Sequence, residues 1–182
     1  MFGIDQEESM GNVSRGAITV VVDVNTSADE FWTMLRDWPA VLKWNSTNRA
    51  LLDVTLKEGD SVDVLPCTRV MHLDTSRGFA PTMEEILLYA DPQARRIFYT
   101  FAGIAGGLSN YIATTFVDEL DDGRARVTCA SMFDVKSGTS LAETIKWLED
   151  VYERQIIRGM EAAIIREREP QSGNAEQTAG RS

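Results

Sequence analysis

Three residues on strand-like segments carry side chains that suit acid–base chemistry: Glu85, Tyr111 and Arg69. Glu85 is the most specific candidate, because its neighbours of the same strand parity are apolar or aromatic: Met83, Leu87 and Tyr89. If that face is buried, desolvation raises the pKa of the carboxyl group, which then suits a general acid or base near neutral pH. The alternative is a salt bridge between Glu85 and Arg69 or another strand neighbour.

Tyr111 and Arg69 each have a structural interpretation beside the functional one. The Tyr111 hydroxyl either donates a hydrogen bond to a ligand carbonyl or is satisfied within a packed interior. Arg69 shares strand parity with Cys67 and Met71. Its guanidinium suits a ligand carboxylate or an enolate, and the alternative is a solvated charge or one at a sheet edge.

The other reactive residue types argue against metal and thiol chemistry. His72 is the only histidine, and Cys67 and Cys129 are the only cysteines, too few for a zinc site. We interpret His72 as a surface or packed residue, and Cys129 as a small buried hydrophobe, because no base lies near it in sequence. No glycine-rich phosphate loop follows a strand. We therefore expect no cofactor.

A run of strands followed by one long helix must position these residues. Gly16–Val24 is β-branched and apolar and predicts a first strand. Ser27 and Glu30 form a capping box that begins a short helix, and a second short helix is predicted at Ala40–Trp44. Further strands are predicted at Arg49–Leu56, Val62–Leu73, Thr82–Tyr89, Arg96–Ala102, Asn110–Glu119 and Arg124–Val135.

The long helix is predicted from about Ser140 to Glu169, again with a capping box, from Ser140 and Glu143. One apolar stripe runs along it at steps of three and four: Leu141, Ile145, Leu148, Tyr152, Ile156, Gly159 and Ala163. We expect Gly159 to mark a close approach to the sheet. A curved antiparallel sheet around such a helix often leaves a hollow, and hollow interiors bind ligands.

Composition predicts a single domain at residues 16–169, with a flexible arm at 1–15 and a disordered tail at 170–182. The chain has 18 basic and 28 acidic residues and a formal charge of −10. That field repels nucleic acid and anionic membrane surfaces. The sequence has no apolar run of membrane-spanning length and no signal-peptide pattern. We expect a cytoplasmic monomer or homodimer.

The order of elements resembles the helix-grip fold of the START/birch-pollen-allergen (SRPBCC) superfamily, an α+β fold with about seven strands. Three stretches resemble its polyketide cyclase/dehydrase family: VDVNTSADEFWTMLRDWPAVLKW from Val22, MEEILLYADPQARRIFY from Met83, and GLSNYIATTFVDELDDGRARVTCASMFD from Gly107. The resemblance implies that Glu85, Arg69 and Tyr111 face an internal cavity. It also implies that the cavity is lined by Trp44, Lys43, Met83, Leu87, Tyr89, Ala113, Thr115, Cys129, Ser131, Phe133, Trp147 and Tyr152.

Two functions follow from the resemblance. The first is a cofactor-free cyclase or dehydratase that folds an apolar, polyketide-like molecule in secondary metabolism and moves protons with the three candidate residues. The alternative is a protein that binds, carries or senses a hydrophobic small molecule without chemistry. A buried carboxylate facing a wide apolar cavity would favour the enzyme, whereas hydroxyl and amide contacts alone would favour the carrier.

Overall fold

The computed structural model describes residues 13–45, 48–104 and 106–169. Seven strands form one sheet: β1 (Ser14–Val24), β2 (Leu51–Leu56), β3 (Cys67–Leu73), β4 (Thr82–Asp91), β5 (Arg96–Phe101), β6 (Leu108–Glu119) and β7 (Ala125–Val135). They lie in the order β1-β7-β6-β5-β4-β3-β2, and every neighbouring pair is antiparallel. Strands β2 to β7 are neighbours in chain order because short connections join them, whereas β1 pairs with β7. The predicted α+β helix-grip architecture is confirmed.

The third predicted strand is shorter than expected. It was predicted to begin at Val62, but β3 begins at Cys67, and only an isolated bridge joins Ser61 and Val64. Pro66 stands directly before β3 and has no N–H group for a strand ladder, which explains the late start. At the N-terminus, β1 begins at Ser14, inside the predicted arm. Residues 1–12 and the predicted tail lie outside the described part of the chain.

Two short helices follow β1: α1 (Ala28–Arg36) and α2 (Val41–Trp44). The predicted capping box is present, because the Ser27 hydroxyl accepts from the Glu30 N–H at 3.3 Å and the Ser27 N–H donates to the Glu30 carboxylate at 2.9 Å. The apolar face of α1 is buried against the sheet and the C-terminal helix. A single 3₁₀ turn, Thr75–Arg77, follows β3.

The C-terminal helix is continuous but changes its winding in the middle. It consists of α3 (Leu141–Asp150), a π-helical segment (Val151–Ile157) and α4 (Arg158–Arg168). The predicted apolar stripe agrees with the observed burial as far as Tyr152. The next fully buried residue of the helix is Ile157, whereas the stripe predicted Ile156. A π turn spans five residues instead of four, and this accounts for the shift. Among the described residues, no helix combines the length and apolarity needed to cross a bilayer.

Gly159 marks a close approach, but its neighbour is not the sheet. A Cβ atom at this position would lie 2.5 Å from the main-chain oxygen of Trp44, at the end of α2. The expected contact with the sheet is therefore wrong. The glycine instead allows α4 to pack directly against the backbone of α2.

Hydrogen bonds anchor α4 to the turn between β1 and α1. The buried carboxylate of Glu161 accepts from the Asn25 N–H at 2.7 Å and pairs with Arg158 at 2.7 Å. Arg168, at the end of α4, pairs with Glu30. These contacts fix the position of the C-terminal half of the helix relative to the sheet. They therefore also help to position Tyr152, which precedes α4 on the same helix.

Candidate active site

Arg69 and Glu85 form an ion pair in the interior between the sheet and the C-terminal helix. The two residues are directly opposite each other on β3 and β4, and both are buried. Arg69 Nε donates to the Glu85 carboxylate at 2.6 Å, and Nη2 also contacts the same oxygen. Glu85 is therefore a paired carboxylate, which corresponds to the structural alternative considered above for this residue.

Arg69 also connects the ion pair to the segment between α1 and α2. Its Nη1 donates to the main-chain oxygen of Trp38 at 2.8 Å, and its guanidinium carbon lies 3.7 Å from the centre of the Trp38 ring. A planar guanidinium can make an ion pair at its edge and a cation–π contact on its face simultaneously, which an ammonium group cannot. The interpretation of Arg69 as a solvated or edge charge is wrong.

Three tyrosines form a second polar cluster, which we call the tyrosine group: Tyr99 on β5, Tyr111 on β6 and Tyr152 on the C-terminal helix. The hydroxyls of Tyr111 and Tyr152 are hydrogen-bonded at 2.5 Å. Burial raises the pKa of Tyr152 to about 12 and holds the pKa of Tyr99 and of Tyr111 well above the usual value. At neutral pH the group consists of uncharged phenols, which donate hydrogen bonds.

Aromatic packing connects the tyrosine group to the ion pair. The ring of Tyr99 lies 5.6 Å from that of Trp38 and 6.2 Å from that of Tyr111. Phe101 stacks on Tyr111 with centroids 4.3 Å apart. The interior therefore holds a row of aromatic side chains, with charge at the β3–β4 end and hydroxyls at the helix end.

A β-bulge between Ser109 and Ile112 shapes β6 next to Tyr111. Asn110 has a φ of 48°, and its side-chain amide donates to the buried carboxylate of Asp134 at 2.7 Å. This hydrogen bond, together with Arg15, holds the pKa of Asp134 below its ordinary value. Leu108 and Tyr111 are three residues apart, yet the bulge allows both to be buried inside.

The strand faces predicted to line the interior are largely buried as expected. The buried residues among them are Trp44, Leu87, Ala113, Thr115, Cys129, Ser131, Phe133 and Tyr152. Met83 is partly buried and packs against the core. Burial raises the pKa of the Cys129 thiol to about 12, so it is protonated at neutral pH and unsuited to nucleophilic attack. Whether any of these residues contacts a ligand stays a prediction.

Three predicted lining residues lie on the surface instead. Tyr89 is 49% exposed, because a bulge between Leu87 and Tyr89 reverses the face on which later residues of β4 lie. Trp147 is 50% exposed on α3, where it lies near Gly106. Lys43 is exposed and pairs with Asp37 at 2.8 Å. The expectation that these side chains face the interior is wrong.

Sequence reasoning missed two residues of this interior. Tyr99 alternates with Ile97 and Phe101 in a predicted strand, so its inward position was available from parity alone. Trp38 follows the first short helix, and nothing local in the sequence indicates that its carbonyl and its ring both contact Arg69. His72, in contrast, pairs with the Thr55 hydroxyl at 3.1 Å, in keeping with a satisfied surface residue.

Two concave areas are open surface grooves, one between α2 and the end of α4 and one along β1, and neither is lined by the ion pair or the tyrosine group. The predicted internal cavity stays a prediction. Within residues 13–45, 48–104 and 106–169, no three potential metal-binding side chains come together.

Comparison with known proteins identifies the family. The chain matches the model described as polyketide cyclase/dehydrase and lipid transport over residues 15–163. The protein belongs to this family. A comparison with curated proteins finds no match.

Solved structures with the same fold include proteins of different activity. An aromatase/cyclase from a Streptomyces species has a TM-score of 0.65 at 18% identity, over 88% of this chain and 99% of that one. A protein from Thermobifida fusca has a TM-score of 0.62 at 24% identity, over 82% and 93%. A norcoclaurine synthase point mutant from Thalictrum flavum, in complex with a transition-state analogue, has a TM-score of 0.63 at 14% identity, over 87% and 99%. These identities establish similarity of fold only.

Proposed function

We propose that the protein is a cofactor-free cyclase or dehydratase that takes up an apolar, polyketide-like molecule between the sheet and the C-terminal helix. The observation that carries this proposal is the tyrosine group, a cluster of uncharged donors among the aromatic side chains of the interior. The family to which the chain belongs includes cyclases and dehydrases in its description. Met83 is partly buried against the core, and its flexible side chain is suited to move aside as such a molecule enters.

The tyrosine group would act by donating hydrogen bonds to a carbonyl oxygen. Ring closure between two ketones passes through an enolate-like state in which negative charge develops on oxygen. A donor already oriented in a water-poor site stabilises that charge more than water does. Holding the chain of the substrate in one conformation also makes closure an oriented unimolecular step.

A carrier or sensor without chemistry is the second candidate, and the Arg69–Glu85 pair favours it. Proton removal from carbon needs a base, and the carboxylate on the interior face is already bound by Arg69. Glu161, the other buried glutamate, is bound by Arg158 and by the Asn25 N–H. Glu85 can act as a base only if substrate binding separates it from Arg69.

An aryl diketone with acetyl and acetonyl groups on adjacent ring carbons separates the two candidates. Its aldol closure and loss of water give a fluorescent methylnaphthol, so turnover is read directly. For the cyclase, Tyr111→Phe should lower the catalysed rate roughly 10²- to 10³-fold. Tyr89→Phe, which changes a surface tyrosine, is the matched control and should leave the rate unchanged.

Glu85→Gln tests the carboxylate in the same assay. A fall of roughly 10²–10⁴ with the diketone still bound would assign proton transfer to Glu85. If the diketone binds and forms naphthol no faster than in buffer, the protein is a carrier for this class of molecule. If it does not bind to the folded protein at all, uptake between sheet and helix is contradicted.

A further inference from the structure

Two buried side chains beside the ion pair and the tyrosine group have a hydrogen-bonding atom without a partner among the described residues. They are Nε1 of Trp38, which is 2% exposed, and Oγ of Ser131, which is 5% exposed. An indole N–H can only donate, and a buried donor without an acceptor lowers stability. The two other such atoms, on Thr26 and Asn45, belong to the turns before α1 and after α2. Ser131 Oγ is near the Tyr152 hydroxyl, so Trp38 Nε1 is the clearer case of unused hydrogen-bonding capacity in the interior.

The two atoms belong to opposite ends of the row of aromatic side chains. Trp38 holds Arg69 on its ring face and packs against Tyr99. Ser131 is on the inner face of β7, and hydrogen bonding from its hydroxyl opposes the rise that burial causes in the pKa of Tyr152. Between them run Tyr99 and Tyr111, whose rings are 6.2 Å apart. A flat ligand lying along this row would meet an unpartnered donor near the ion pair.

The buried charges of Arg69 and Glu85 neutralise each other. Arg69 and Glu85 are buried together and bind each other, and the tyrosine group is uncharged at neutral pH. A ligand carboxylate would find no unpaired cation among the buried residues described. It would have to compete with Glu85 for Arg69 and leave one of the two carboxylates buried without a partner. The suggestion from sequence that Arg69 anchors a ligand carboxylate is at odds with this arrangement.

We infer that the molecule taken up is uncharged and carries a carbonyl oxygen that accepts a hydrogen bond from Trp38 Nε1, and that carboxylates of the same shape are rejected. This inference rests on the proposed uptake between sheet and helix, in its catalytic or its carrier form. Trp38 is therefore a specificity-determining residue. Its indole N–H favours ketones over hydrocarbons. Its ring holds the Arg69 guanidinium in position to pair with Glu85, so that this positive charge does not bind a ligand carboxylate.

Three naphthalenes with one substituent at the same ring position test the inference: acetylnaphthalene, ethylnaphthalene and naphthoate. Their affinities for the full chain are measured by calorimetry at neutral pH. We expect acetylnaphthalene to bind about 10- to 100-fold more tightly than either of the others, the range expected for leaving a buried polar group unpaired. Trp38→Phe should abolish the preference of the ketone over the hydrocarbon, whereas Trp147→Phe, at an exposed position, should preserve it.

Nuclear magnetic resonance of the unmodified chain keeps the test independent of how well Trp38→Phe folds. The chain has four tryptophans and hence four indole N–H signals. Acetylnaphthalene, but not ethylnaphthalene, should move the Trp38 signal downfield, as a new hydrogen bond requires. The Trp147 signal should stay in place.

The outcomes separate this inference from the proposed function. If naphthoate binds as tightly as the ketone or more tightly, or if all three bind equally, the inference is wrong while uptake of apolar molecules stands. An unshifted Trp38 indole signal at saturating ketone would also overturn it. If none of the three binds to a chain that unfolds cooperatively, both the inference and the proposed uptake are contradicted.

Discussion

The ion pair and the tyrosine group occupy the same interior but differ in how far their polar atoms are satisfied. Arg69 is bound on its edge by Glu85 and by the Trp38 carbonyl, and on its face by the Trp38 ring. The tyrosine group contains one mutual hydrogen bond, between Tyr111 and Tyr152. The first arrangement is closed to further partners, whereas the second can still donate.

The difference indicates which of the two determines structure and which is available to a ligand. Separating a buried ion pair leaves an uncompensated charge, so the pair resists change. Neutral hydroxyls can exchange one hydrogen bond for another with little net change in free energy. The ion pair therefore connects β3 and β4 to the segment between α1 and α2. We propose that the tyrosine group and the Trp38 indole are the groups that recognise a ligand.

The largest effect is expected when one member of the ion pair is removed. Arg69→Met leaves the Glu85 carboxylate buried without a partner and should lower the free energy of unfolding by about 3–5 kcal/mol. Urea denaturation followed by circular dichroism measures the change. The double variant Arg69→Met/Glu85→Met should recover most of the loss, because apolar side chains then fill the space. A single variant as stable as the parent would show that the pair is not a structural connection.

A smaller effect is expected from alkaline titration of the tyrosine group. The pKa of Tyr152 is about 12 in the folded chain against an ordinary value of 10, and those of Tyr99 and Tyr111 are also raised. The folded state thus retains protons that the unfolded state loses above pH 10. The contribution of these tyrosines to stability should be constant below that pH and then fall, by up to about 1.4 kcal/mol per pH unit for each tyrosine.

Phenolate absorbance and urea denaturation at successive pH values measure this effect together. Tyr89 is exposed and should ionise without unfolding, whereas the tyrosine group should ionise only as the fold is lost. Tyr111→Phe removes one of the three buried hydroxyls. The free energy of unfolding should therefore fall less steeply with pH above 10 than it does in the parent. Ionisation of all four tyrosines near pH 10 in a folded chain would contradict the closed interior.

The smallest effect is expected at a surface pair with the same chemistry as the buried one. Arg168 and Glu30 are 45% and 40% exposed, and Arg168→Met should change stability by less than about 1 kcal/mol at neutral pH. The Arg168 guanidinium and the Ser27 hydroxyl lower the pKa of Glu30 to about 2. The contribution of Glu30 is therefore present above its ordinary value of 4.5 and is lost as the pH falls towards 2.

Urea denaturation of the parent protein and of Arg168→Met at pH 7 and pH 3 checks this prediction. Arg168→Met should be closer to the parent in stability at the lower pH, because the parent has by then lost part of the interaction. An effect as large as that of Arg69→Met would mean that burial does not distinguish the two pairs.

Local signals predicted much of the fold. The capping box at Ser27 is confirmed, because it depends only on neighbours in sequence. Parity failed at Tyr89, and the helical period failed at Ile156. A bulge and a π turn each insert an extra residue at a point set by packing across the sheet, which no short stretch of sequence reveals.

The ion pair shows a different limit of sequence reasoning. Glu85 and Arg69 were both identified as candidates, and their pairing was considered, but strand register decides whether the two meet. The same register determines the position of Tyr99 opposite Leu87 and hence the neighbour of Trp38. Side-chain identity was available from the sequence, whereas the partners of each side chain were not.

The bulge at Asn110 makes the length of β6 as important as its composition. Leu108 and Tyr111 both face inward only because one additional residue separates them. If one residue were deleted here, either Leu108 or Tyr111 would have to point outward. The protein would then lose either a core contact or a member of the tyrosine group. A deletion at this point would thus force a choice between stability and the candidate site, which a substitution at either position would not.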